Sequence, residues 1–157
     1  MINHFLAGLI LTGTVAALLI SDDSIHGPAR VIDGDTIEVN HKRIRLWGID
    51  APEASQTCQS EAACGRESTY YMQRLIGNEP VTCTPRDRDR YGRTVAQCST
   101  VGGDLGRRMV AAGMAIDYTH YSKGYYKNEQ DAAKAEHLGM WAGAFQPPAQ
   151  YRAKHKK

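Results

Sequence analysis

The feature that most constrains the fold is a series of three short strand-like segments between residues 29 and 49. In the second and third segments apolar and polar residues alternate, which is the pattern of a strand that buries one face. Asp33-Gly34-Asp35 separates the first two segments, and residues 40–42 separate the second from the third. Because Asp-Gly next to β-branched residues is a strong turn signal, the sequence predicts a three-stranded meander.

Further helices and strands are predicted after the meander. Gly77 and Gly113 are helix-stop signals, and Asp104 is a favourable N-cap. The predicted helices cover residues 62–76, 104–112 with the cap, and 129–138, and the predicted strands cover residues 81–84 and 94–99. This order of elements predicts an α+β fold in which a small five-stranded barrel carries helices.

The N-terminal segment is apolar and contains no Asp, Glu, Lys or Arg in residues 1–20. A membrane-spanning helix needs about 20 apolar residues, so the run at residues 5–20 is short for an anchor. Val15-Ala16-Ala17 offers small residues for cleavage, although His4 is the only basic group before the apolar run. We expect a cleaved signal peptide, and a retained anchor or a buried helix is the alternative.

Domain boundaries follow from these segments. We expect a signal peptide or membrane anchor over residues 1–20, a linker over 21–28, the folded domain over 29–145, and a basic, loosely ordered tail over 146–157.

Of the 19 Lys and Arg residues, four lie in the tail, which leaves 15 against 17 Asp and Glu residues in the whole chain. Whole-chain charge therefore does not indicate a nucleic-acid partner, which usually requires a basic excess.

The chain contains four cysteines, Cys58, Cys64, Cys83 and Cys98. In an exported protein an even number of cysteines usually forms disulfides, and four cysteines allow three pairings. A zinc site is the competing hypothesis, but the two-residue spacing of zinc ribbons is absent.

Two acidic clusters follow predicted strands: Asp33-Gly34-Asp35 and Asp50-Ala51-Pro52-Glu53. Carboxylates that leave neighbouring strand ends can converge on a hard cation such as calcium, which prefers oxygen ligands. The alternative is that both clusters are ordinary turns, because Asp and Pro favour turns without any metal.

Arginines accompany these carboxylates. Arg45 lies on the same face of its strand as Trp47, and its guanidinium suits either a structural ion pair or a two-pronged phosphate contact. The charged hairpin at residues 85–93 adds Arg90 and Arg93, together with Tyr91, which can stack on a base. For the other arginines of this hairpin a solvated turn is the preferred interpretation.

Three motifs in order give a specific resemblance. VIDGDT at residues 31–36, IRLWGIDAPE at 44–53 and DRYGR at 89–93 resemble the signature segments of the staphylococcal nuclease-like family. The likeness extends from residue 29 to about residue 141. It implies an OB-fold barrel with three helices and calcium-dependent cleavage of DNA and RNA.

The resemblance also implies roles for individual residues. The calcium ligands of the family match Asp35, Asp50 and the backbone carbonyl of Ala51. The family often has threonine in place of Ala51, but a carbonyl ligand does not depend on the side chain. Glu53 matches the general base. Arg45 and Arg93 match the arginines that hold the scissile phosphate.

The implied nucleotide pocket is less complete. Tyr91 and Tyr121 match tyrosines that line it, and Arg90 is expected beside them. Thr119 replaces a tyrosine of the type protein, and Tyr118 is displaced from that position by one residue. Asp33 is expected to be a turn residue or a partner of a metal ligand.

The predicted function is a monomeric, secreted or periplasmic endonuclease that cuts DNA and RNA with calcium and little sequence specificity. If the N-terminal segment is retained, the protein would instead be anchored in a membrane and face away from the cytoplasm. A noncatalytic OB-fold module that binds nucleic acid is the main alternative. A third possibility, which no motif supports, is a membrane-anchored enzyme or accessory protein that acts on envelope polysaccharide.

The predicted hairpin also selects a disulfide pairing. A turn near Arg90 places Cys83 opposite Cys98 on adjacent strands, while Cys58 and Cys64 lie in one short loop after Glu53. We therefore predict the pairs Cys83 with Cys98 and Cys58 with Cys64.

Overall fold

The structure is a computed structural model that describes residues 23–155. The predicted signal peptide or anchor and the first residues of the predicted linker lie outside this part of the chain. Within residues 23–155 there is no helix with the length and hydropathy needed to cross a membrane.

Nine strands and five α-helices make up the described chain. The strands are β1 Ile25–Gly27, β2 Ala29–Val31, β3 Thr36–Val39, β4 Lys42–Leu46, β5 Ile49–Asp50, β6 Val81–Arg88, β7 Thr94–Thr100, β8 Gly103–Asp104 and β9 Ile116–Asp117. The helices are α1 Cys64–Ile76, α2 Leu105–Ala111, α3 Thr119–Ser122, α4 Lys127–Ala135 and α5 Pro148–Lys154, with short 3-10 turns at Gln59–Glu61 and Gly139–Ala142.

The main sheet has the strand order β1-β6-β7-β4-β3-β2, in which β4 and β7 are parallel and the other pairs are antiparallel. Only Pro28 separates β1 from β2, although these strands lie at the two ends of this order. Two residues of chain span at most about 7 Å. The sheet must therefore curl until its edges approach each other, which gives the predicted α+β, OB-fold-like arrangement.

The core fills the interior of this curled sheet. Ile37, Ile44 and Leu46 point inward from β3 and β4, and Met72 and Met109 cover them from α1 and α2; each of these side chains is at most 2% exposed. Asp104 caps α2 as predicted, because its side chain accepts a hydrogen bond from the Arg107 backbone N–H at 3.0 Å.

Several boundaries differ from the sequence prediction. The third strand of the meander breaks at Trp47-Gly48, where Gly48 has φ +74°, so that β4 and β5 are separate strands. The last predicted helix is shifted to Lys127–Ala135. The predicted linker contains β1, which pairs with β6, and the tail expected to be loosely ordered contains α5. The fold thus has more strands and helices than the five and three predicted.

The structure contains both predicted disulfides. Cys83 and Cys98 are directly opposite in the β6–β7 ladder, and their Cα atoms are 4.0 Å apart. The bond between Cys58 and Cys64 ties the loop after β5 to the first residue of α1, with a Cα–Cα distance of 5.7 Å.

We predict that removal of the Cys83–Cys98 bond costs more stability than removal of the Cys58–Cys64 bond. The first closes a sequence separation of 15 residues and the second only 6. Loop-closure entropy gives about 3 kcal/mol for the longer loop and about 2 kcal/mol for the shorter. Urea unfolding of the two double Cys→Ala variants measures the difference. A larger loss for Cys58→Ala/Cys64→Ala would contradict this ranking.

Candidate active site

The two acidic clusters of the sequence meet beneath one cleft. Asp35 lies in the turn between β2 and β3, and Asp50 is the last residue of β5. Asp35 is 4% exposed and Asp50 is 0% exposed. The turn is held by the Ile32 N–H, which donates to the Thr36 carbonyl at 3.0 Å, and by the Asp35 N–H, which donates to Asp33 Oδ1 at 3.0 Å. The backbone of this turn thus helps to fix the direction of the Asp35 carboxylate.

Arg45 joins these two carboxylates. Its Nη1 donates to Asp35 Oδ1 at 2.9 Å and its Nη2 donates to Asp50 Oδ1 at 3.0 Å. Arg45 reaches both because Thr36, next to Asp35, pairs directly with Arg45 in the β3–β4 ladder. The Ala51 backbone N–H donates to the other oxygen of Asp35 at 3.0 Å. The predicted calcium ligands and one predicted phosphate-binding arginine are therefore in direct contact.

Burial shifts the ionisation of the carboxyl groups here. Desolvation, followed by the charge of Asp35, raises the pKa of Asp33 from 3.8 to about 6. Desolvation also raises the pKa of Asp50, although the hydrogen bond from Arg152 opposes this shift. Carboxylates in such surroundings need cationic partners to remain ionised, because their desolvation is otherwise too costly.

Glu53 lies at the edge of the same cluster. Its side chain is 39% exposed, and Oε1 accepts a hydrogen bond from Arg152 Nη1 at 3.0 Å. The Gln56 backbone N–H donates to the Glu53 carbonyl at 2.7 Å, which closes a turn in the loop between β5 and α1. Glu53 is thus held near Asp50 and remains open to the cleft.

Arg93 and Arg90 line the same cleft from the β6–β7 hairpin. The Nε of Arg93 donates to Asp89 Oδ2 at 2.7 Å, and its guanidinium does not pair with the buried carboxylates. Arg90 lies 4.8 Å from the centre of the Tyr91 ring, and Tyr91 is 71% exposed. Both arginines and the tyrosine are therefore accessible from the cleft.

Tyrosines form another part of the lining. The rings of Tyr118 and Tyr121 are 5.1 Å apart, and both line the cleft. Thr119 is the first residue of α3 and does not line it. Tyr118, one position before Thr119, therefore supplies an aromatic ring on this side of the cleft.

The cleft has a volume of about 570 Å³, a size typical of small-molecule sites. Of the predicted site residues, Asp50 and Ala51 do not line it, because Asp50 lies behind Arg45 and Arg152. The predicted residues that do line it are Asp35, Arg45, Glu53, Arg90, Tyr91, Arg93 and Tyr121.

The donor set fits a hard cation rather than zinc. Within the described residues, no group of three or more His, Cys, Asp or Glu side chains could hold a metal ion, and the cysteines are all in disulfides. The buried carboxylates of Asp35 and Asp50 and the carbonyl of Ala51 supply oxygen only. Calcium accepts such a set because it takes backbone carbonyls and water as further ligands.

Comparison with known proteins identifies the family of the chain. Residues 43–143 match the family model described as staphylococcal nuclease homologue. An uncharacterized endonuclease of Escherichia coli is 39% identical over 140 residues, which cover 85% of this chain and 87% of that protein. The micrococcal nuclease of Shigella flexneri is 35% identical over 130 residues, with 72% and 71% covered.

A further relative carries a different description. The succinoglycan biosynthesis protein ExoI of Rhizobium meliloti is 38% identical over 138 residues, which cover 81% of this chain and 72% of that protein.

The chain belongs to the staphylococcal nuclease family. The predicted family and the predicted class of enzyme, a nuclease, are therefore confirmed.

Two residues of the site were missed by sequence analysis. Arg152 contacts Asp50 and Glu53, although it lies in the segment expected to be a loose tail. Gly65 allows α1 to approach the turn that carries Glu53, because a Cβ at Gly65 would lie 1.8 Å from the Glu53 carbonyl oxygen. The VIDGDT and IRLWGIDAPE motifs contain neither residue, and a glycine near a helix start has no local signal for such a contact.

We predict that Gly65→Ala destabilises the protein by about 1–3 kcal/mol, the usual cost of overpacking. In an uncrowded helix the same change normally stabilises by up to about 1 kcal/mol, so the sign of the effect tests the contact. Arg66→Ala, at the exposed neighbouring position, is the control and should change stability by at most about 0.5 kcal/mol. Urea unfolding measures both variants. A stabilised Gly65→Ala would show that α1 does not abut the Glu53 turn.

Proposed function

We propose that this protein is an endonuclease that uses calcium to hydrolyse phosphodiester bonds of DNA and RNA with little sequence specificity. The observation that carries the proposal is the contact of Arg45 with both Asp35 and Asp50 below a cleft that Glu53 and Arg93 line. This combination supports a scheme in which carboxylates hold a metal, Glu53 acts as a base and the arginines bind phosphate.

Asp35, Asp50 and the Ala51 carbonyl would hold the calcium. An ionised carboxylate has about four acceptor sites. Asp35 Oδ1 accepts from Arg45 and Thr36, whereas Oδ2 accepts only from the Ala51 N–H among the described residues, so Oδ2 keeps a lone pair for a metal. Bound calcium would neutralise charge on the phosphate oxygens and polarise the attacking water.

Glu53 would accept a proton from the attacking water. Its side chain is partly exposed and lines the cleft, so a water molecule can reach it from solvent. A carboxylate in this position would remove a proton as the water oxygen attacks phosphorus, while the P–O bond to one sugar oxygen breaks and that oxygen leaves and takes a proton from solvent. Such general base catalysis contributes about 10²–10⁴-fold.

Arg93 and Arg45 would stabilise the charge that develops on the nonbridging oxygens. Arg93 uses its Nε for Asp89, which orients the guanidinium and leaves both terminal amino groups for a phosphate. Preorganised donors of this kind are each worth about 10²–10³ in rate.

Low sequence specificity follows from the aromatic lining. Tyr91 and Tyr121 are 71% and 50% exposed, and an exposed ring can stack on any base. Arg90 would contact the phosphate backbone beside them, and backbone contacts carry no base information. DNA and RNA share these features, so both are proposed as substrates.

Two buried or partly buried disulfides favour an oxidising compartment. We therefore propose that the protein acts as a monomer outside the cytoplasm, either secreted or periplasmic. If residues 1–20 are retained rather than cleaved, the same domain would be anchored in a membrane and face the same side.

Two alternatives lead to different results in one assay. A noncatalytic module would bind nucleic acid without cutting it. The name of the Rhizobium relative suggests polysaccharide biosynthesis, but the arginines and carboxylates that line the cleft favour phosphate-directed chemistry.

We predict that Glu53→Gln and Asp35→Asn impair cleavage in different ways. Glu53→Gln removes the base and should lower the rate at saturating calcium by about 10²–10⁴-fold, with calcium affinity largely retained. Asp35→Asn replaces a charged ligand with a neutral one, so it should weaken calcium binding, and added calcium should restore part of the rate.

The measurement is the rate of DNA cleavage against calcium concentration, with circular dichroism to verify folding. Glu79→Gln is the control, because Glu79 is exposed and lies outside the cleft. Parental cleavage by Glu53→Gln, or activity that is indifferent to calcium and to Asp35, would contradict the proposed roles.

A further inference from the structure

The C-terminal helix α5 is docked on the loop that carries Glu53. The Gln56 side chain donates through Nε2 to the Gln146 carbonyl at 2.7 Å, just before α5 begins. Pro148, the first residue of the helix, is buried, and the Tyr151 hydroxyl lies 3.5 Å from Ser55 Oγ. Because the Cys58–Cys64 bond ties the same loop to α1, the docking surface for α5 is itself anchored.

Docking of α5 delivers Arg152 into the carboxylate cluster. Its Nη1 donates to Asp50 Oδ1 at 2.8 Å, and its Nη2 donates to Asp50 Oδ2 at 3.2 Å. The same Nη1 donates to Glu53 Oε1 at 3.0 Å. Arg152 is thus a two-pronged partner of a fully buried carboxylate and a bridge from that carboxylate to Glu53.

The Glu53 carboxylate depends on this bridge for its position. In the part of the chain that the structure describes, Arg152 is the one hydrogen-bond partner of the Glu53 side chain. The contacts of Glu53 with Gln56 in this loop are made by its backbone, through the N–H with Gln56 Oε1 at 3.3 Å and through the carbonyl with the Gln56 N–H at 2.7 Å, and neither restrains the side chain. Without Arg152 a side chain that is 39% exposed would sample several rotamers.

Arg152 also occupies acceptor sites that a metal would use. Asp50 Oδ1 accepts from both Arg45 and Arg152, and Oδ2 accepts from Arg152. Of about four acceptor sites on this carboxylate, roughly one is left within the described residues. A divalent cation that binds Asp50 must share it with Arg152 or displace one of the two prongs.

We propose that Arg152 is a positioning residue of the nuclease site, which orients Glu53 for proton removal and competes with calcium for Asp50. This inference rests on the proposed function. If it is correct, the C-terminal segment is part of the catalytic domain. The Arg152 side chain then raises the rate of the chemical step and lowers the affinity for calcium. Loss of Arg152 should slow the chemical step and tighten the binding of calcium.

Loss of Arg152 should change kcat through the position of Glu53 and calcium affinity through the charge next to Asp50. Displacement of a reacting group by about 1 Å can cost on the order of 10²-fold in rate, so loss of the bridge to Glu53 should lower kcat by about 10- to 100-fold. Removal of a positive charge next to Asp50 should raise calcium affinity by about three- to thirtyfold, since the side chain is 33% exposed and solvent screens part of its field.

The test compares Arg152→Gln and Arg152→Lys with Lys154→Gln, a control that removes one charge from an exposed position of the same helix. Calcium affinity is measured by titration calorimetry without substrate, and kcat and KM are measured on single-stranded DNA at saturating calcium. Urea unfolding shows whether α5 remains docked. Arg152→Lys keeps the charge without the fork, so it should recover part of the rate and most of the parental calcium affinity.

The proposal predicts tighter calcium binding together with a lower kcat for Arg152→Gln, and parental values for Lys154→Gln. A kcat equal to that of the control would overturn the positioning role. Weaker calcium binding together with loss of stability would show a purely structural residue. These outcomes require a parent that cuts DNA with calcium; a parent that neither binds calcium nor cuts DNA would contradict the proposed function itself, and this inference with it.

Discussion

The pairing of Arg45 with Asp35 and Asp50 is the interaction on which the rest of the site depends. Two carboxylates that are at most 4% exposed carry a large desolvation cost, and a guanidinium within 3.0 Å of both offsets it. The β3–β4 ladder sets Arg45 beside the Asp35 turn, and the break after β4 returns the chain so that Asp50 reaches the same guanidinium. Changes in that register would separate the charges and leave them buried.

The curled sheet brings the second half of the cleft to this cluster. The parallel contact of β4 with β7 brings the β6–β7 hairpin to the cleft that Asp35 and Arg45 line, and the Cys83–Cys98 bond closes that hairpin. Arg93 is thus presented from a different strand pair than Arg45. A phosphate in the cleft would meet cations from both of these elements.

Local patterns predicted those parts of the molecule that depend on neighbours in sequence. The meander, the Asp104 cap and the motifs around Asp35 and Asp50 follow from turn chemistry and alternation, and the hairpin explains the Cys83–Cys98 pair. Arg152 could not be predicted, because α5 has only seven residues and is held by contacts with a loop about a hundred positions away. Gly65 was missed for the same reason, since its role lies in the space that it leaves for Glu53.

The most direct test of this account is the rate at which purified protein cuts plasmid DNA and RNA in calcium and in excess chelator, with Arg45→Lys beside the parent. Lysine keeps the charge that Asp35 and Asp50 need but cannot bridge both carboxylates and a phosphate. The account predicts cleavage of both substrates in calcium, none in chelator, and a loss of about 10²–10³-fold for a folded Arg45→Lys. Equal cleavage in chelator, or no cleavage by the parent at any calcium concentration, would contradict it.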